Sequence, residues 1–96
     1  MDASFSTCTV HLIGLGLMGG SLAMALRGQV GRITAEDIAP GVIEDAARRG
    51  IIDGPGASGD ADIVVLAVPA HTIIDLVAGL ALRPGTLVLD LGSTKT

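Results

Sequence analysis

Three glycines near the amino terminus have the spacing of a phosphate-binding turn. Gly14, Gly16 and Gly19 form a G-x-G-x-x-G pattern that follows a short apolar run, residues 9–13, and opens an apolar helical stretch. In such a turn the first glycine permits a sharp bend, the second lets a ligand approach the backbone, and the third lets the helix pack on the sheet. Because the free amides of a helix N-terminus attract anions, the pattern predicts a site for a pyrophosphate.

An acidic residue follows at the distance expected of a dinucleotide site. Asp37 lies 18 positions after Gly19, where a second strand, residues 31–37, is predicted to end. A carboxylate in this position accepts hydrogen bonds from ribose hydroxyls and repels a 2′-phosphate. Ile38 and Ala39 supply no arginine that could hold such a phosphate. The sequence therefore predicts NAD as the cofactor, with NADP disfavoured.

The elements that must position these residues alternate along the chain. Periodicity predicts four main strands, at residues 9–13, 31–37, 62–68 and 86–91. It predicts three helices, at residues 17–28, about 40–50 and 72–82. Ile51 and Ile52 are predicted to form an additional short edge strand. The apolar run at 62–68 is continuous, which is typical of a strand covered on both faces. Alternation of this kind predicts a parallel sheet with right-handed crossovers. We expect a Rossmann-type doubly wound α/β fold, three-layer αβα and truncated, with about four to five strands.

Several residues that could carry chemistry are expected to be structural. Met18, Leu22, Ala25 and Leu26 recur at helical spacing and predict one buried apolar face of the first helix, and Met24 is likewise assigned to the core. His11 falls inside the first predicted strand, so we interpret it as a strand or core histidine.

Composition excludes several classes of function. The 96 residues suffice for one small domain, and the net charge is −4, with Arg48-Arg49 the sole adjacent basic pair. We therefore expect no nucleic-acid binding, and we interpret the two arginines as solvated. The longest fully apolar run, residues 63–70, is far shorter than the roughly 20 residues that span a bilayer, so we expect no membrane insertion. Cys8 is the single cysteine, and no metal-ligand cluster accompanies it, so a reducing cytoplasm and no metal site are expected.

Longer motifs resemble one enzyme family. Residues 14–23, in which Gly19 and Gly20 are followed by Ser-Leu-Ala, resemble the opening of the prephenate and arogenate dehydrogenases of tyrosine biosynthesis. Further similar segments are Glu36-Asp37-Ile38, Gly50-Ile51-Ile52-Asp53, the strand and proline at 62–69, and Asp90-Leu91-Gly92-Ser93-Thr94-Lys95, with Thr94 where valine is commoner. The resemblance covers nearly the whole chain but only the first part of the family's length.

The resemblance implies a reaction and roles for residues near it. Prephenate or arogenate would transfer a hydride to the nicotinamide and lose carbon dioxide as its ring becomes aromatic. By analogy, Val68 and Pro69 would lie against the cofactor. Ser93 would support catalysis by hydrogen-bonding the substrate hydroxyl or the catalytic histidine, and Lys95 would order a loop or face the substrate.

The catalytic histidine of that family follows the segment that contains Ser93, beyond the last residue of this chain. His11 does not match it, and His71 is interpreted as a helix-start residue. We therefore expect residues 1–96 to be the N-terminal NAD-binding part of a longer dehydrogenase. The parent enzyme would carry a helical domain for substrate binding and dimerisation, and the isolated chain would bind NAD without turnover. The edge of the last strand would then be prone to self-association.

Two other functions fit parts of the pattern. The turn from Gly14 to Gly19 fits β-hydroxyacid dehydrogenases of the 3-hydroxyisobutyrate type equally well, although the residues after Gly20 and around Ser93 fit them less well. A non-catalytic module that senses a nucleotide through changes in assembly is the other alternative.

Overall fold

Five parallel strands form a single sheet in the computed structural model, which describes residues 5–67, 82 and 84–91. The strands are β1 (Thr9–Ile13), β2 (Arg32–Glu36), β3 (Gly54–Pro55), β4 (Ile63–Leu66) and β5 (Leu87–Asp90), and the helices are α1 (Leu17–Leu26) and α2 (Val42–Arg48). Short 3-10 turns lie at Phe5–Thr7 and Ser58–Asp60. The predicted third helix, residues 72–82, falls almost entirely outside the described residues.

The strand order is β3-β2-β1-β4-β5, so the chain moves outward from β1 through β2 to β3 and then returns to the other side of β1. Every pairing is parallel; Val10 pairs with Ile33 on one side and with Ile63 on the other. This order places a topological switch point between β1 and β4, at whose carboxyl ends ligands bind in open α/β sheets. The predicted Rossmann-type doubly wound fold is confirmed.

Both α1 and α2 pack on the same face of the sheet. Alternate residues of the central strands form that face, since successive side chains of a strand point to opposite sides. Its buried strand residues are Val10, Leu12, Ile33, Ala35 and Val65, and both helices contribute apolar side chains to this cluster. A second cluster lies on the other face and contains Ile13, Ala61, Val64 and Leu66. Among the described residues, no helix is long and apolar enough to cross a membrane.

The buried face of α1 differs from the predicted one. Met18 is 54% exposed and Ala25 is exposed, whereas Ala23 is fully buried. Met24, which was also assigned to the core, is 62% exposed. Almost every residue of this helix is apolar, so hydrophobic spacing alone selects its buried face poorly. The buried face is set instead by how closely the helix approaches the sheet. Small residues fit there, so Gly19 and Ala23 are buried while the bulkier Met18 and Met24 are exposed.

The short edge strand was predicted at the wrong residues. Ile52 is buried in the core, while the pairing with β2 begins two residues later, where Thr34 pairs with Gly54. Asp53 lies between them and exchanges two hydrogen bonds with β2: its backbone amide donates to the Ile33 carbonyl at 2.8 Å, and its carboxylate accepts from the Ile33 amide at 2.7 Å. Glycine and proline are rare in strands, but an edge strand tolerates them.

The carboxylate of Asp53 also forms a bidentate ion pair with Arg27, which follows α1, at 3.0 Å for each of the two bonds. The hydrogen bond from Arg27 and then that from the Ile33 amide lower the pKa of Asp53 below its ordinary value. The segment Gly50–Asp53, which carried part of the family resemblance, therefore joins the end of α1 to the sheet edge.

Candidate nucleotide-binding site

The glycine turn lies between β1 and α1, at the carboxyl edge of the sheet. Gly14 has a φ of 92°, in the left-handed region that favours glycine, and its amide donates to the Glu36 carbonyl of β2 at 2.8 Å. The first glycine therefore allows the chain to leave β1 sharply while it stays bonded to the neighbouring strand.

Gly19 and Gly16 differ in the space around them. A Cβ atom added to Gly19 would lie 2.4 Å from the Gly14 carbonyl oxygen and 3.3 Å from the Cβ of Ala67, so a side chain here would push α1 away from the turn and β4. A Cβ atom added to Gly16 would meet no protein atom within 4 Å. The fold itself thus requires Gly19, whereas the space beside Gly16 is open for a ligand.

The start of α1 is suited to an anion. Gly16 is the N-cap residue and offers no side-chain cap, and the first turn contains no acidic residue. The Gly20 amide makes the first helical hydrogen bond, to the Gly16 carbonyl at 2.8 Å. Leu17, Met18 and Gly19 come before the first residue whose amide donates within the helix. Their amides can therefore donate to an anion bound beside the positive end of the helix dipole.

The carboxylate of Asp37 lies directly beside this turn. Its Oδ2 atom accepts a hydrogen bond from the Leu15 amide at 2.7 Å, and its Oδ1 atom accepts one from the Ala39 amide at 2.9 Å. Asp37 is half-buried, and each carboxylate oxygen retains a second lone pair for a further donor. The structure thus brings together the acidic residue and the glycine turn that the sequence had linked by spacing alone.

A cleft of about 590 Å³ extends from Asp37 along α2. The end of β2 and the residues that follow it line this cleft together with residues of α2 and with Pro55 and Gly56. Ile38 lies in this lining and its side chain is fully exposed. An apolar side chain held in water next to a candidate ribose-binding carboxylate is available to pack against an aromatic base.

Beneath this edge, a buried histidine links β1 to β2. His11 is fully buried; its Nδ1 atom lies 2.7 Å from Thr34 Oγ1, and its Nε2 atom lies 2.6 Å from Glu36 Oε2. The interpretation of His11 as a strand or core histidine is confirmed, because it lies in β1 with its side chain buried, and it binds two residues of β2, the strand that precedes Asp37. Its bond to Glu36 was missed, although Thr34 and Glu36 alternate on the strand next to His11, and that spacing was the available signal.

The other predicted site residues, Val68, Pro69 and Ser93, lie outside the described residues, as do His71 and Lys95. No cluster of three or more potential metal ligands occurs in the described part of the chain.

Known proteins resemble this chain over most of its length. A family model described as "Prephenate dehydrogenase, nucleotide-binding domain" matches residues 22–96, from the middle of α1 onward. A prephenate dehydrogenase of Lactococcus lactis subsp. cremoris is 36% identical and aligns with 91% of this chain.

Solved structures agree with these sequence matches. Prephenate dehydrogenase from A. aeolicus, in complex with hydroxyphenyl propionate and NAD+, has a TM-score of 0.80 at 35% identity and covers 91% of this chain. Synechocystis arogenate dehydrogenase has a TM-score of 0.79 at 28% identity and covers 85%.

The chain spans about a third of the length of these proteins: 27% of the Lactococcus protein, 34% of the A. aeolicus chain and 32% of the Synechocystis chain. This fold corresponds to the nucleotide-binding portion of these proteins. Because the family match extends over most of the sequence, the chain belongs to the family of prephenate dehydrogenase nucleotide-binding domains.

Proposed function

We propose that this chain is the NAD-binding domain of a dehydrogenase that oxidises and decarboxylates prephenate or arogenate. The observation that carries this proposal is the 2.7 Å hydrogen bond between the Leu15 amide and Asp37, which holds a ribose-binding carboxylate against an uncapped helix N-terminus. Family membership and the NAD+ bound to the similar A. aeolicus enzyme support it.

The described residues fit a dinucleotide. The open space beside Gly16 can admit a pyrophosphate against the backbone, and no acidic side chain in the first turn of α1 would repel it. Asp37 would accept hydrogen bonds from the adenosine ribose, and Ile38 would pack against the adenine. The full set of proposed cofactor residues is Gly14, Gly16, Leu17, Met18, Gly19, Asp37, Val68 and Pro69. The exposure of Met18, which was unexpected for a core residue, leaves its side chain accessible beside this site.

The chain's residues would mainly position the reactants. Bound NAD would supply the hydride acceptor, and aromatisation of the substrate ring would supply the driving force. Residues at the carboxyl edge of the sheet would fix the cofactor's orientation, which is the contribution expected of a protein that serves a reactive cofactor. Ser93 is proposed to hydrogen-bond the substrate hydroxyl or the catalytic histidine.

The proposal extends to the parent protein. Residues 1–96 would form the N-terminal nucleotide-binding domain of a cytoplasmic homodimer, and a helical domain would supply the catalytic histidine and the substrate-binding groups. The isolated chain would then bind NAD without oxidising substrate. The choice between prephenate and arogenate would rest with that second domain.

The two alternatives predict different observations. Family membership favours the prephenate group over the 3-hydroxyisobutyrate group. A nucleotide-sensing module would change its oligomeric state when NAD binds, which a sizing column would detect. A binding domain of a dehydrogenase would keep the same elution volume with and without NAD.

Calorimetric titration of the purified chain with NAD+ and then NADP+ tests the proposal. We expect NAD+ to bind and NADP+ to bind much more weakly. A chain that gives a cooperative melt by circular dichroism, and yet binds neither nucleotide, would contradict it.

A further inference from the structure

We propose that Glu44, on α2, is a second determinant of cofactor choice, and that its charge opposes the 2′-phosphate of NADP. The inference rests on the proposed function, since it concerns the ribose end of the same cofactor. It adds to Asp37 a residue seven positions later in the chain that no sequence pattern had indicated.

Glu44 lines the same cleft of about 590 Å³ as Asp37 and Ile38. A ribose whose hydroxyls bond to the Asp37 carboxylate would carry its 2′-oxygen at the mouth of this cleft. A phosphate on that oxygen would therefore meet the wall that α2 contributes.

Glu36, Asp37 and Glu44 line the cleft, and among the described residues no lysine or arginine does. The Glu36 carboxylate bonds to His11, so Asp37 and Glu44 are the acidic residues that bear on a ligand there. The nearest basic residues along α2 are Arg48 and Arg49, and both form ion pairs with Asp45. In the part of the chain that the structure describes, no cation lining the cleft offsets the charge of Glu44.

The first turns of α1 and α2 differ in their acidic residues. The first turn of α1, which faces the glycine turn, contains no acidic residue. The first turn of α2 contains Glu44 and Asp45. Because Asp45 pairs with Arg48 and Arg49, Glu44 is the carboxylate left to offset the positive end of that helix's dipole. The helix start beside the proposed pyrophosphate position therefore has no acidic side chain, whereas the helix start that lines the cleft beside Asp37 carries Glu44.

The expected size of the effect follows from simple electrostatics. A phosphate monoester carries a charge of about −1.5 to −2 at neutral pH. Repulsion from one exposed carboxylate that lines the same cleft corresponds to roughly a threefold to tenfold change in affinity at low salt. Because Glu44 is exposed, this repulsion is screened as the ionic strength rises.

The test compares Glu44→Gln with the wild-type chain by calorimetric titration of NAD+ and NADP+ at low and high salt. Asp60→Asn is the matched control, because Asp60 is an exposed carboxylate that precedes β4 at the opposite edge of the sheet and lines a different cleft. We expect Glu44→Gln to tighten NADP+ binding about threefold to tenfold at low salt, with NAD+ affinity within twofold of wild type and a smaller gain at high salt. Glu44→Lys should extend the gain, and Asp60→Asn should leave the ratio of the two affinities unchanged.

The outcomes separate this inference from the proposed function. If the wild-type chain binds NAD+ but Glu44→Gln and Glu44→Lys both leave the NADP+ to NAD+ ratio unchanged, the role of Glu44 is wrong and the proposed function stands. An equal gain in Asp60→Asn would also overturn it, because net charge alone would then explain the result. If the folded wild-type chain does not bind NAD+, both the proposed function and this inference fail.

Discussion

The amide of Leu15 donates a 2.7 Å hydrogen bond to the Oδ2 atom of Asp37, and this bond joins the turn after β1 to the end of β2. The Gly14 amide adds a backbone bond of 2.8 Å to Glu36 at the same junction. The two parts of the proposed cofactor site are therefore held at a fixed separation by the protein's own contacts. Such preorganisation reduces the entropic cost of ordering the site when a ligand binds.

Substitution of Asp37 by asparagine should weaken NAD+ binding. The amide keeps one acceptor oxygen, but it cannot bond to both the Leu15 and Ala39 amides and also accept from the ribose. Loss of one hydrogen bond to a charged group costs about 1.5–3 kcal/mol, so calorimetry should show a Kd roughly tenfold to a hundredfold higher. Asp60→Asn is the control for charge, and NAD+ affinity equal to wild type in Asp37→Asn would contradict the assigned role.

Gly19 and Gly20 are adjacent in α1, yet alanine should have opposite effects at the two positions. At Gly19 the new Cβ atom would lie 2.4 Å from the Gly14 carbonyl oxygen, whereas at Gly20 its nearest neighbour would be the Leu15 carbonyl oxygen at 4.0 Å. We expect Gly19→Ala to lower the free energy of unfolding by about 1–3 kcal/mol through overpacking. Gly20→Ala should raise it by up to about 1 kcal/mol, because alanine favours the helix.

Urea unfolding monitored by circular dichroism measures both glycine variants. Each serves as the other's control, since the same atoms are added one residue apart in the same helix. Equal stability of the two variants would show that α1 does not pack against the turn as described.

The ion pair of Asp53 with Arg27 should make stability depend on acid pH. Folding lowers the pKa of Asp53, chiefly through the hydrogen bond from Arg27 and then through the Ile33 amide. A lowered pKa means that the ionised form stabilises the folded state above the unfolded pKa of about 3.9, and that this stabilisation is lost as pH falls through the folded value.

In Asp53→Asn, the free energy of unfolding should accordingly depend less on pH in the acid range. The pair is partly exposed, so the difference from wild type should be about 1 kcal/mol or less near pH 6 and should diminish as pH falls toward 2. Thermal melts between these limits measure it, with Asp60→Asn as the comparison. A wild-type curve parallel to that of Asp53→Asn would rule out this contribution.

Much of the fold could be predicted because its signals are local. The strand at 9–13 was predicted with the bounds of β1, and the strands observed at 63–66 and 87–90 lie within the predicted runs. Glycine spacing and Asp37 likewise indicated the neighbouring turn and carboxylate, since the strand–turn–helix unit fixes their separation.

The remaining differences depend on contacts between distant segments. The buried side of α1 follows from how closely Gly19 lets that helix approach Ala67, and the edge strand begins where Asp53 bonds to Ile33. Glu44 was not indicated because its importance depends on a cleft that forms only when α2 packs beside β2. Hydrophobic periodicity carries no information about these distances.

The most direct test of the central claim is NAD+ titration of the Gly16→Ala variant, with its thermal melt recorded on the same sample. A Cβ atom at Gly16 meets no protein atom within 4 Å, so the variant should keep the fold. The same methyl group would occupy the space proposed for the pyrophosphate. Because alanine is a poorer N-cap than glycine, we predict a loss of up to about 1 kcal/mol, which lowers the melt by less than about 8 °C, and NAD+ affinity reduced at least about tenfold. A variant that melts like wild type and binds NAD+ equally well would show that the cofactor does not bind at the glycine turn.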